Sequence, residues 1–331
     1  MHPISLSAAK EIGHAVAAHA QDPDLAFIAG GTDLVGLMKD RAAQPSRLLD
    51  INHLAGIGAI EPLPDGGIRM GALARMSDVA ANMHVRKSAP MISESLLFSA
   101  SGQLRNMASM GGNIMQRTRC AYFRDGDGVP CNKRVPGSGC SARHGSNRNH
   151  AIFGWSDDCV ATHPSDVAVA LSALDSVVRV RSPQGERAIP FGDFHRLPNA
   201  TPDKDNALER GDLIVGLDIP YRPEARRSHY LKVRDRQSYE FALVSVAVGV
   251  DLDGHRVKSA RLAMGGVAHK PWRLIAAEQA LVGASVKDPN QLRTAIARSF
   301  ADARPLEHNA FKVELAQRAV LRALQTVGAR A

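Results

Sequence analysis

Aromatic side chains supply only 5% of this 331-residue chain, and neither G-x-G-x-x-G nor G-x-x-x-x-G-K-[ST] occurs in it. The first scarcity leaves few platforms on which bases could stack, and the second disfavours the Rossmann and P-loop nucleotide folds. Long apolar runs are missing too. The longest, from Phe241 to Val250, is about half of what a helix needs to cross a bilayer, so no membrane segment is expected. The opening MHPISLSAAKEIGHAV has neither a charged region followed by an apolar run nor twin arginines. A soluble chain is expected, one that would leave the cytoplasm only in the company of a partner. Nor does any Ser-His-Asp or Cys-His grouping have a spacing that defends it.

What is present is ordinary in bulk and unusual in one place. With 44% hydrophobic and 22% charged residues the chain is globular, and its length favours two or three domains. The net charge of +8 is diluted along the sequence, which fits a docking face or an anionic cofactor better than nucleic acid. All four cysteines, Cys120, Cys131, Cys140 and Cys159, fall within one 40-residue window, with 10, 8 and 18 residues between them. Zinc hooks are shorter than this, whereas a 4Fe-4S cubane needs four thiolates spread around its corners. Seven basic residues (Arg117, Arg119, Arg124, Lys133, Arg134, Arg143, Arg148) stand against Asp125 and Asp127, and are expected to neutralise the thiolates. Gly126, Gly128, Pro130, Pro136, Gly137 and Gly139 supply bends. Two disulfides and a structural zinc remain the alternatives.

Periodicity predicts a helix from Ala8 to Ala20, a strand from Leu25 to Ala29, a helix from Leu34 to Asp40 and a strand from Arg47 to Ile51. Between strand and helix lies Gly30-Gly31-Thr32-Asp33-Leu34, where amides free of Cβ obstruction can approach an anion. A second polar, glycine-rich stretch, Ser99 to Gln116, follows the apolar helix Met91 to Phe98 and reads as a flexible loop rich in donors. Asp212 to Pro220 reads as a strand and Tyr221 to Ser228 as a linker. Strands are predicted at Phe241 to Leu252 and Val257 to Met264, then helices at Trp272 to Val282, Pro289 to Ala303 and Ala310 to Val327. His163, next to Pro164, reads as a turn residue.

AGGTDL, GQLRNMASMGGNI, HPSD and the Lys232-x-Arg234 element together resemble the FAD-binding medium subunit of the molybdenum hydroxylases, the xanthine dehydrogenase and aldehyde oxidoreductase family. The similarity runs over essentially the whole chain. The cysteine insertion between the GGN loop and HPSD is narrower in its likeness, and resembles the FAD and 4Fe-4S subunits of bacterial periplasmic aldehyde oxidoreductases.

The resemblance implies an α+β chain. Residues 1–222 would form a PCMH/VAO-type FAD-binding domain of two α/β subdomains, carrying the 4Fe-4S insertion at about 117–160. Residues 223–331 would form a C-terminal domain of the CO dehydrogenase flavoprotein type, a small antiparallel sheet with helices. It further implies that Ile28, Ala29, Gly30, Gly31, Thr32, Asp33 and Leu34 wrap the FAD pyrophosphate, that Ser109, Gly112 and Asn113 complete the cradle, and that Ser99 and Ser101 border the flavin. Asp166 would hold the nucleotide end, Ile214 would touch adenine, and Lys232 would lie beside the isoalloxazine. The four cysteines would ligate the cluster. The implied partners are a molybdenum-cofactor large subunit, a 2Fe-2S small subunit and an external electron acceptor, with no nucleic acid and no membrane. The large subunit would oxidise an aldehyde and water to a carboxylic acid, in the periplasm after co-export or, alternatively, in the cytoplasm. A stand-alone flavoprotein oxidase and a metal-stapled binding module are the rival classes.

Overall fold

The computed structural model describes residues 3–125 and 128–329. Gly126 and Asp127, assigned above to a bend and an acidic charge, lie outside the described residues, as do the first two residues of the opening segment. Among the described residues no helix is long and apolar enough to cross a membrane.

Strands β1 (Ser5–Ala8), β2 (Leu25–Ile28) and β3 (Arg47–Asp50) form a parallel sheet in the order β1-β3-β2. The helix Ile12–Gln21 buries Ala15 and Val16 against it, in a small core with Leu25, Leu49 and Leu213. This corrects the start of the predicted helix, because Ala8 pairs with Asp50 as the end of a strand. Every residue of β1 is exposed, so no inside–outside alternation was there to be read.

The second sheet is antiparallel and runs β4-β5-β8-β6-β7, from β4 (Ile60–Pro62), β5 (Ile68–Gly71), β6 (Val177–Ser182), β7 (Gly185–Pro190) and β8 (Leu213–Ile219). Only β8 was predicted. The largest core fills the space between this sheet and the helices Met76–Ala81, Pro90–Phe98 and Asp166–Ala173. Every residue of the last of these is buried, and its start is fixed by Ser165 Oγ, which accepts from Ala168 N at 3.2 Å.

The third sheet, β12-β11-β10-β9, is also antiparallel, from β9 (Ser228–Val233), β10 (Val244–Asp253), β11 (Arg256–Gly265) and β12 (Trp272–Arg273). Helices Ile275–Leu281, Pro289–Ala297 and Phe311–Ala329 cover it. Two predictions are corrected here. Trp272 and Arg273 are strand rather than the first turn of a helix. The segment read as a linker holds the short helix Pro223–Arg226, with Glu224 and Ala225 buried.

The start of the last helix anchors the cysteine insertion. Lys312 is fully buried and its Nζ donates to Gly266 O at 2.8 Å and His150 O at 3.0 Å. Burial first, and Arg148 second, lower its pKa from 10.5 to about 7. Between those values the unfolded chain holds a proton that the folded chain does not, so this group makes stability rise with pH by about 1.4 kcal/mol per unit. Below about pH 7 both states are protonated and the slope vanishes. Urea unfolding of the wild type and Lys312→Met should differ by an amount that grows with pH across that window. A difference independent of pH contradicts the assignment.

Candidate functional site

All four cysteines are free, and all four line one small cavity. Cys120 precedes the short helix Ala121–Arg124, Cys131 and Cys140 face each other across an antiparallel bridge, and Cys159 bridges Ser156. The bend between Cys131 and Cys140 is held by Cys131 N to Ser138 Oγ at 3.0 Å, and by Asn132 N to Gly139 O and Gly139 N to Asn132 Oδ1, both at 2.8 Å. Long spacers therefore fold back on themselves and return each thiol to the same space. Among the described residues no three His, Cys, Asp or Glu side chains close in to hold a single metal ion. Four thiols around one space suit a group with several metal atoms.

Burial pushes the Cys120 and Cys159 thiols up to about 12; Lys133 opposes this at Cys159. Neutral thiols would then persist until a cationic core takes them as thiolates and releases their protons.

The expected neutralisation by seven basic residues is corrected. Arg117 pairs with Asp205 at 2.6 Å, Lys133 pairs with the same carboxylate, Arg143 with Asp157 at 2.9 Å, and Arg148 with Asp235 at 2.8 Å. Arg119 and Arg124 both reach Asp33, at 2.7 and 3.0 Å. Arg134 Nη1 donates to Phe123 O at 3.4 Å. Arg117, Arg119, Arg124, Lys133 and Arg148 thereby staple the insertion to the rest of the chain, and Lys133 also lowers the Cys159 pKa.

Asp33 joins this insertion to the first glycine stretch, because its second oxygen also accepts from Arg117 N at 3.0 Å. Removing the carboxylate in Asp33→Ala leaves Arg119 without a carboxylate and Arg124 with only Asp40, at 3.4 Å, which should cost about 2 kcal/mol. Thermal unfolding of the purified chain measures it. A melting temperature equal to that of the wild type contradicts the staple.

The two glycine stretches abut. A Cβ on Gly30 would lie 2.0 Å from Met107 O, and Gly31 has φ of +69°, so neither place takes a larger residue easily. Arg75 bridges them, donating to Met107 O and, at 2.9 Å, to Asn52 Oδ1, while Asn52 Nδ2 donates to Ala29 O at 3.0 Å. Among the described residues the N–H groups from Gly30 to Leu34 meet no acceptor. Those of the second stretch do. It is not a flexible loop but two short helices, Gly102–Met107 and Met110–Ile114, capped by Ser101 Oγ and Ser109 Oγ. Gly111 N donates to Ala72 O, Gly112 N to Ser109 Oγ at 3.2 Å and Asn113 N to Ser109 O. Asn113 Oδ1 accepts from Ser165 Oγ.

Asp166, Ser99 and Lys232 meet in a second cluster. The buried Asp166 carboxylate accepts from Tyr230 Oη at 2.6 Å, Ser99 Oγ at 2.9 Å and Lys232 Nζ at 2.8 Å, and Lys232 also donates to Phe98 O at 3.1 Å. Tyr230 is held so firmly in its phenol form, by burial and then by Asp166, that its pKa lies well above 10. Ile214 pairs with Val180 and sits in the apolar core of the five-stranded sheet. His163, expected in a turn, lies in irregular backbone just before the helix Asp166–Ala173; its ring packs 4.1 Å from that of His195 and its buried Nε2 has no partner. Sequence reasoning missed Asn52, Arg75 and Tyr230, whose partners are distant in the chain.

Two family profiles match this chain. The FAD binding domain in molybdopterin dehydrogenase matches residues 2–222, and the CO dehydrogenase flavoprotein C-terminal domain matches 229–327. The chain belongs to the FAD-binding medium subunits of the molybdenum hydroxylases. It is a subunit of an oxidoreductase. Among its relatives is the aldehyde oxidoreductase FAD-binding subunit of Escherichia coli, 47% identical over 310 residues and 93% of each chain. The glyceraldehyde dehydrogenase medium chain of Sulfolobus acidocaldarius is 26% identical over 79% of this chain and 74% of its own. In fold the medium subunit resembles a chain of CO dehydrogenase from Oligotropha carboxidovorans, with TM-score 0.77, 22% identity and full coverage of both. Quinoline 2-oxidoreductase from Pseudomonas putida gives TM-score 0.76 at 21% identity, covering 100% of this chain and 98% of that one.

Both expected groups suit the donors present. Open amides from Gly30 to Leu34 can take an anion. Exposed apolar side chains stand beside the key polar groups, Met107 at the glycine stretch and Phe98 next to Lys232, as a ring system would require.

Proposed function

We propose that this medium subunit carries FAD and a 4Fe-4S cluster, and works as the electron-transfer subunit of a molybdenum-dependent aldehyde oxidoreductase. The observation that carries the cluster half of this reading is the convergence of four free thiols on one cavity. The flavin half rests on family membership and on the open amides from Gly30 to Leu34. The 47% likeness to an aldehyde oxidoreductase subunit supports the substrate class.

Bound to the chain, FAD would exchange electrons singly or in pairs and the cluster singly. Residues Ile28 to Leu34 would hold the pyrophosphate, with Ser109, Gly112 and Asn113 shaping the wall behind it. Because the Asp166 oxygens are taken by Tyr230, Ser99 and Lys232, Asp166 serves to fix the Lys232 ammonium rather than to grip a nucleotide. Ser101 keeps the neighbouring helix in place and Ile214 the sheet beneath it. Cys120, Cys131, Cys140 and Cys159 would ligate the cluster.

In the assembly a molybdenum-bearing large subunit would convert aldehyde and water to carboxylic acid. The medium subunit would receive the electrons from a 2Fe-2S small subunit and deliver them to an external acceptor. Residues 1–222, with the insertion at about 117–160, would form the FAD-binding part and 223–331 the C-terminal part. The periplasm, reached with a signal-bearing partner, is the proposed compartment. Cell fractionation tests that placement, and a cytoplasmic assembly contradicts it.

The function itself is tested in the co-expressed assembly, purified without oxygen, by metal and flavin quantification and by spectra before and after aldehyde is added. The proposal expects FAD and iron on this subunit and bleaching by aldehyde alone. An active single chain that needs no partners, or a colourless chain holding zinc, contradicts it.

A further inference from the structure

Outside the four thiols, one polar side chain addresses the cluster cavity's ligands with no other assignment. His150 Nε2 lies 3.2 Å from Cys120 Sγ. Its other ring nitrogen, Nδ1, is buried and has no partner. A neutral imidazole carries one N–H, and placing it on Nδ1 would strand a buried donor, which costs about 1–3 kcal/mol. Placing it on Nε2 points it at sulfur.

The backbone that carries the ring is also held in place. His150 N donates to Asn147 O at 3.0 Å, and His150 O accepts from Asn309 Nδ2 at 3.1 Å and Lys312 Nζ at 3.0 Å. Asn147 in turn accepts on Oδ1 from His308 N at 2.9 Å. Two segments about 160 residues apart therefore fix the backbone from which one imidazole reaches one of four otherwise similar cysteines.

We propose that His150 is a positioning residue that donates Nε2–H to the Cys120 thiolate and raises the reduction potential of the cluster that thiolate binds. The inference rests on the 4Fe-4S reading above. A donor to a ligating sulfur stabilises the more negative, reduced state more than the oxidised one, so its loss favours oxidation. No electron or proton leaves the protein in this role; the hydrogen bond persists in both states.

The test is an anaerobic redox titration of the cluster, followed by electron paramagnetic resonance, in the intact assembly carrying wild type, His150→Phe or His150→Gln. We expect His150→Phe to bind iron and to shift the one-electron reduction equilibrium about tenfold toward oxidation, a 59 mV lower midpoint. His150→Gln, which keeps a donor, should lie between the two. Equal midpoints with equal iron overturn the proposal. If His150→Phe loses its iron, wild type decides: hyperfine coupling of the reduced cluster to an exchangeable proton, lost in His150→Gln or altered there, supports it, and no coupling overturns it. A wild type without iron overturns the cluster reading, and this inference with it.

Discussion

Replacing Cys159 by serine should empty the cluster site and leave the flavin in place. Iron is expected to fall from about four atoms per chain to below one. Cys159 is almost wholly buried and lines the same cavity as the other three, so its loss removes one of the four ligands. Serine matches cysteine in shape, which keeps the cost to packing small, but its hydroxyl is a poor substitute for a thiolate toward iron. FAD should survive because the glycine stretch that would hold it is tied to the insertion through Asp33 and Arg117, Arg119 and Arg124, not through the cysteines. Iron and flavin are quantified side by side on the same preparation. Full iron in Cys159→Ser, or parallel loss of flavin, contradicts the assignment of two separate sites.

The reverse dissociation is expected from Gly30→Ala. Its new methyl carbon would sit 2.0 Å from Met107 O and 2.6 Å from Met107 C. Both are backbone atoms, so the strain is relieved only by pushing the two glycine stretches apart. Overpacking of this kind costs about 1–3 kcal/mol, and the displaced segment is the one whose amides stand open from Gly30 to Leu34. Flavin content should drop at least tenfold while iron stays near its wild-type level, because the cavity of thiols is untouched. Gly36→Ala is the control. Its Cβ would meet nothing closer than Arg124 Nη1 at 3.8 Å, and alanine suits a helix better than glycine by about 0.5–1 kcal/mol. Gly36→Ala should retain its flavin. A Gly30→Ala chain as yellow as the wild type contradicts the account.

The cysteine cluster and the first glycine stretch were legible in the sequence because each is a dense group of residues whose chemistry is scarce elsewhere. The strands β2, β3, β8, β10 and β11 were legible as well, since each carries an apolar run or sits between clear turn signals. Three kinds of what escaped have a plain physical cause. Strand β1 shows no alternation, because all of its side chains are exposed. The stretch from Ser99 to Gln116 looked like a loop because glycine, serine and asparagine are poor helix formers, yet Ser101 and Ser109 cap two short helices there. Charge pairing was the third. Local sequence leaves the arginines around the cysteines free to face the thiolates, but their partners Asp33, Asp205 and Asp235 lie about 85 to 90 residues away, and no local spacing reveals such pairs. The same distance hid Tyr230 from Asp166, and Asn52 and Arg75 from the glycine stretches.

The central claim is that one cubane occupies the space between Cys120, Cys131, Cys140 and Cys159. Mössbauer spectroscopy of protein grown on iron-57 and purified without oxygen tests it most directly. The account predicts iron at about four atoms per chain in this subunit, with the valence-delocalised signature of a 4Fe-4S cluster that changes on reduction. Zinc in place of iron, mononuclear iron, or the four thiols recovered as two disulfides would contradict it.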